Sequence, residues 1–127
     1  MIPPTVTHNG LVVRERERGG RRESFIGKSG ALHAAESAIR ARLSRCRPDE
    51  PIACPMRAEL RWCFPTEGRH AQGEPMVSRP DLDNLEKTFL DCCQAEGIIR
   101  DDAFVVEKHS AKAWSDPAGI WFRFEEI

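Results

Sequence analysis

Residues 56–64 constrain the fold most. Met56, Ala58, Leu60, Trp62 and Phe64 alternate without a break with Arg57, Glu59, Arg61 and Cys63. Successive side chains of a strand leave on opposite faces, so this run predicts a strand with one apolar and one polar face. Such a face is stable only when another part of the chain covers it. At 127 residues the chain has the size of one domain, which can bury roughly two-thirds of its unfolded surface without staples. A single domain over residues 1–127 is therefore expected.

The cover is legible as two helices. Leu32, Ala35, Ile39 and Leu43 recur at spacings of three and four, which predicts a helix over roughly 30–45 with Ser29 as its N-cap. A second helix is expected from about Asn84 to Glu96. Its apolar side is Leu82, Leu85, Phe89 and Cys92 or Cys93, and Gly97 stands where a left-handed residue is wanted to end it. Segments 48–53 and 65–79, rich in proline or glycine, read as loops. A strand is expected at about 103–112, where Phe104 and Val106 alternate with Val105 and Glu107. In a last strand Ile120, Phe122 and Phe124 alternate with Trp121, Arg123 and Glu125. Near the start, two short runs flank Gly19-Gly20 and suggest a β-hairpin or flap. The order predicts an α+β fold: a small mixed β-sheet with two main helices on one face and an N-terminal hairpin.

Composition removes several function classes. There is no tyrosine, so a Tyr nucleophile or Tyr general acid is excluded. The five cysteines are odd in number and contain no Cys-x-x-Cys pair, which speaks against a disulfide framework and against zinc ribbons. Buried free thiols are the expectation. No apolar run approaches the length of a membrane span, and Met1-Ile2-Pro3-Pro4-Thr5 has no signal-peptide character, so a cytoplasmic protein is expected. The net charge of −1 conceals a split, with +6 over residues 1–48 and −7 over 49–127. That asymmetry directs attention to a polyanion partner and to an acidic cluster. Arg14, Arg16, Arg21 and Arg22 on the hairpin could grip phosphates, although glutamates are interleaved with them. Arg40, Arg42, Arg45 and Arg47 either suit the C-terminal end of a helix or contact phosphate.

Three motif-like stretches fail on inspection. Gly27-Lys28-Ser29 lacks the earlier glycine of a P-loop, since Arg22 stands there. Asp81-x-Asp83 lacks the glycine and glutamate of a calcium loop, because Glu86 and Cys92 occupy those places. The four histidines show no ligand spacing.

The informative stretch is Arg79-Pro80-Asp81-Leu82-Asp83-Asn84-Leu85-Glu86-Lys87. In extended chain Asp81 and Asp83 project to the same side, and Pro80 disfavours helix for Arg79. Asp83 can serve as an N-cap with Glu86 completing a capping box, or as one of two converging carboxylates. Lys87 can form an i,i+4 ion pair with Asp83 or Asp91, or reach toward the same point as the two acids. A further pair, Asp101-Asp102, follows the helix, and one member can join them. Three converging carboxylates require a cation. Mg²⁺ suits such a site because it takes few carboxylates and also binds phosphate oxygens, which suggests a metal-dependent phosphodiesterase.

At these residues the chain resembles the RusA family of Holliday-junction resolvases. The resemblance is carried by Arg79-Pro80-Asp81-Leu82-Asp83-Asn84-Leu85-x-Lys87, by Leu90-Asp91 and by Gly97-Ile98-Ile99-x-Asp101-Asp102. Weaker similarity covers Pro3-Pro4-Thr5-x-Thr7-His8 and the 30–45 helix. The resemblance implies a homodimeric, Mg²⁺-dependent endodeoxyribonuclease that resolves four-way DNA junctions by paired nicks; the residues alone suit Mn²⁺ as well as Mg²⁺. It implies Asp81, Asp83 and Asp102 as catalytic metal ligands, Lys87 as the catalytic lysine, and Asp101 as second choice for the third acid. Arg14, Arg16, Arg21, Arg22 and Arg79 are the candidate DNA contacts. The alternative is a non-catalytic DNA- or junction-binding protein that works through its arginine-rich segments.

Overall fold

The computed structural model describes residues 30–127 in full, together with Pro3 and the backbone of two N-terminal strands. Those strands, β1 (Leu11–Arg18) and β2 (Arg21–Lys28), pair antiparallel from Leu11↔Lys28 to Arg18↔Arg21, which is the expected hairpin. The N-cap assigned to Ser29 lies outside the described residues, as does the Pro4-to-His8 part of the motif.

Helix α1 (Gly30–Leu43) buries Leu32, Ile39 and Leu43, three of the four stripe residues. Strand β3 (Met56–Phe64) has the expected limits, and its five apolar side chains are all buried while Arg57 and Arg61 on the other face are exposed. Strand β5 (Val105–Trp114) lies parallel to β3 on one side, and β6 (Gly119–Glu126) lies antiparallel on the other. A two-residue strand β4 (Glu74–Pro75) closes the edge against β5, inside the stretch expected to be a loop. The four-stranded order is β4-β5-β3-β6. The parallel neighbours β3 and β5 need a crossover, and helix α2 (Leu82–Ala95) supplies it.

Helix α2 begins two residues earlier than its sequence suggests. Asp81 is the N-cap, in extended conformation, and Leu85 N donates to Asp81 O at 3.1 Å. Asp83 therefore sits in the first helical turn rather than at the cap. The earlier start brings half-buried Leu82 onto the face that buries Leu85 and Phe89, at spacings of three and four. Against the open face of the sheet, charges pair with one another. Arg57 donates to Glu107 at 2.6 Å, and Arg61 and Arg123 reach Glu59 at 3.0 and 3.2 Å.

The cysteines divide by element. Cys92 and Cys93 are buried on α2, while Cys46 is exposed and Cys54 and Cys63 are intermediate, so the expectation of buried thiols holds for two of the five. Burial pushes the Cys93 thiol far up, which makes it inert. Two of the four arginines near the end of α1 have an internal task. Arg40 and Arg47 each hydrogen-bond Glu96 at 2.7 Å and hold its carboxyl below the usual range, Arg40 first.

The end of α2 explains where the second acidic pair goes. Gly97 has φ of 73°. Its N–H donates to Gln94 O at 3.2 Å and Ile98 N–H to Cys93 O at 2.9 Å, the two bonds of a Schellman motif. The chain then bridges Ile99 to Ile52, through Ile52 N to Ile98 O at 3.0 Å and Arg100 N to Ile52 O at 2.9 Å. Asp101 and Asp102 leave from this anchored point. A Cβ added at Gly97 would meet nothing closer than Pro51 Cγ at 3.9 Å, so the cost of a side chain there is conformational. Gly97→Ala is expected to destabilise the fold by about 1 kcal/mol in urea unfolding. An unchanged midpoint would show that the left-handed turn is not required.

Candidate active site

The first turns of α2 carry most of the candidate groups. Asp81 and Asp83 are exposed at its N-terminus, where the helix dipole favours negative charge. Asp81 makes no capping bond, and among the described residues neither carboxylate has a hydrogen-bond or ion-pair partner. The capping box between Asp83 and Glu86 does not form. Glu86 turns inward instead, to 9% exposure, and its carboxylate meets Lys108 Nζ of β5 at 2.5 Å.

One turn further on, Lys87 stands between two acids. Its Nζ lies 2.9 Å from Asp91 and 3.3 Å from Asp102. The i,i+4 pair with Asp91 is thus present, whereas the expected reach toward Asp81 and Asp83 is not: the ammonium turns to Asp102 of the later doublet. The doublet itself divides its work. Asp101 caps a short 3₁₀ turn over Asp102–Phe104 by accepting from Ala103 N at 2.8 Å. Asp102 faces Lys87, and its backbone N–H is held by Gln94 Oε1 at 3.1 Å.

Strand β5 forms the other wall. A bulge after Val105 places Val105 opposite Met56 and Glu107 opposite Arg57, leaving Val106 as the extra, exposed residue. Val105 and Val106 are therefore offset from the simple alternation expected for this strand. Beyond the bulge Lys108, Ser110 and Lys112 register with Ala58, Leu60 and Trp62, on the side that faces the helices. An open cleft of about 440 Å³ lies between the walls, lined among others by Lys87, Asp102, Glu107 and Lys108. Sequence reading overlooked Lys108 and Lys112, because a lysine in a half-buried strand normally marks its solvent face.

Not all of the expected residues come together. Lys87 and Asp102 do, with Asp91 as a third member that was foreseen only as a helical ion-pair partner. Among the described residues no group of three or more His, Cys, Asp or Glu side chains stands ready to hold a metal ion, so the three-acid convergence is not present. By donor chemistry the unpartnered Asp81 and Asp83 still fit Mg²⁺, a hard cation that is bound through one or two carboxylates, waters and substrate phosphate oxygens. Arg79 is exposed immediately before this pair. The side chains of Arg14, Arg16, Arg21 and Arg22 lie outside the described residues.

The ammonium of Lys87 is held above the usual lysine range, first by its hydrogen bond to Asp91 and then by that to Asp102. A raised value means that the stabilisation is complete below the ordinary lysine pKa of about 10.4 and is lost as pH rises through the folded value. Asp91→Asn should lower the Lys87 titration midpoint more than Asp102→Asn, followed by NMR at the lysine side chain. Equal midpoints in wild type and both variants would contradict the assignment of these partners.

The sequence matches the family described as Endodeoxyribonuclease RusA over residues 2–123, nearly its whole length. No curated protein matches the chain. Among the described residues, no helix is long and apolar enough to cross a membrane.

Proposed function

The chain belongs to the RusA endodeoxyribonuclease family, and on that premise we propose that it resolves four-way DNA junctions by Mg²⁺-dependent paired nicks. The observation that carries the reading is the meeting of Lys87 with Asp102, at 3.3 Å, beside an open cleft and next to two unpartnered acids at the start of α2.

Each group has a task set by its surroundings. Asp81 and Asp83 are the residues that would hold the ion, and Asp102, which pairs with Lys87 and does not converge with them, would join only on leaving that pair. When bound, Mg²⁺ supplies an orienting charge for the phosphate and a water of lowered pKa. Lys87, protonated throughout the neutral range, offers a point charge for a phosphate or leaving oxygen. Asp91 and Asp102 restrain its long side chain, so that little freedom is lost when substrate arrives. Arg79, together with Arg14, Arg16, Arg21 and Arg22, would meet the sugar–phosphate backbone. A homodimer would carry two such sites about a dyad and so match the two-fold symmetry of a junction. A cytoplasmic location would give such a protein access to its DNA.

The experiment is nicking of a synthetic four-way junction in Mg²⁺. Wild type should cut it and stop when the metal is chelated. Asp81→Asn, Asp83→Asn and Lys87→Met should each slow cutting by about two orders of magnitude while junctions are still bound. Mg²⁺ should also raise the melting temperature of wild type and not of the Asp81→Asn, Asp83→Asn double variant. Binding without cutting by the wild-type protein would remove the proposal, and cutting that survives chelation would remove its metal.

A further inference from the structure

The chain that leads to Asp81 is held from outside its own element. Gly73 N donates to Trp114 O at 2.8 Å, and Met76 N to Lys112 O at 3.4 Å, so the segment starts out as a strand-like rider on β5. Past Met76 the backbone ladder ends, and Val77, Ser78 and Arg79 are exposed. The next hold is a side chain. Lys112 Nζ donates to Ser78 O at 2.6 Å and to Pro80 O at 2.8 Å. An ammonium has three donors and no acceptor, so it can clamp two carbonyls at once where no N–H remains to do so. The second of those carbonyls belongs to the residue before Asp81, and the first α-helical bond of α2 is accepted by Asp81 O.

We propose that Lys112 is a positioning residue for the nuclease reaction. Its ammonium staples the Ser78–Pro80 turn to β5 and so sets where Asp81, and with it Asp83 on the first turn of α2, present their carboxylates. The proposal rests on the nuclease reading given above. Lys112 touches no reacting group in this role: it acts through the backbone that carries one.

Two variants and two readouts test it. Lys112→Met keeps the apolar stem and removes the donors, whereas Lys112→Arg keeps donors. Junction nicking is measured at saturating protein and well below each variant's melting temperature, alongside junction affinity and amide hydrogen exchange. Lys112→Met should nick about 30-fold more slowly or worse and bind junctions within about threefold of wild type. Its amides over 77–85 should exchange faster while those of β3 and β6 keep their protection. Lys112→Arg should regain protection and nicking together.

Nicking by Lys112→Met at the wild-type rate overturns the proposal. So does a loss of affinity that tracks the loss of nicking, which would make Lys112 a DNA contact, or faster exchange across the whole sheet, which would make it a general stabiliser. If Lys112→Met does not fold, Lys112→Arg decides, because nicking and protection of 77–85 must then change in step. A wild-type protein that cuts no junction removes the nuclease reading alone, and the exchange comparison still shows whether Lys112 holds the turn.

Discussion

The site depends on one contact, the seating of α2 on the apolar face of β3. Trp62 of β3 meets Phe89 of α2 edge-on, with ring centres 6.4 Å apart and planes at 86°, and Phe89 also packs on Phe122 of β6 at 5.2 Å. Both Trp62 and Phe89 are buried, as are Leu85, Cys92 and Cys93 on the same helix. Each large apolar side chain buried in this way contributes about 1.5–3 kcal/mol, which no other contact of α2 approaches. That packing fixes the rotation of α2 about its axis. Asp83, Lys87 and Asp91 follow at four-residue intervals and so form one row. Turning the helix would carry the whole row away from Asp102.

The electrostatics build on that placement. Asp91 and Asp102 would repel across the gap between α2 and the turn before β5, and Lys87 offsets them. Glu86, nearly buried, is acceptable only because Lys108 meets it. Asp81 and Asp83 have no such neighbour and rely on solvent and the helix dipole. The resting arrangement is therefore uneven. One end of α2 is neutralised internally, and the other keeps its carboxylate oxygens available.

Much of this was legible in the residues, and the misses share a cause. Alternation over 56–64 marked β3 to the residue, because a strand buried on one face has a period that nothing else imitates. The left-handed glycine at 97 was legible for the same reason, since few residues suit that backbone. The motif directs Lys87 toward Asp81 and Asp83, whereas its ammonium meets Asp91 and Asp102. What local pattern could not show was long-range competition. Asp83 looked like a cap until Leu82 drew the helix start back into the core. Glu86 looked like a capping-box partner until Lys108, which lies across the chain on β5, claimed it. Val106 broke the alternation of its strand because a bulge is decided by the neighbouring strand, which the local sequence does not contain.

The lysines of β5 follow from how two helices cover four strands. Ile39 and Leu43 of α1 line one small apolar cavity with Phe89, Ile120 and Phe122, so α1 covers the β6 side of the sheet. Helix α2 covers β3, and the helix-facing row of β5 lies at the margin of that cover. There Lys108, Ser110 and Lys112 stand between Val105 and Trp114. A lysine can lay its stem on apolar neighbours there and send its ammonium to a partner at the rim. Lys108 finds a carboxylate, and Lys112 finds two carbonyls. Aliphatic residues in those places would extend the core and draw α2 closer to β5, closing the cleft that Lys87 and Asp102 share. Core extension and an accessible site thus oppose each other along this one strand, and the polar row keeps the site open.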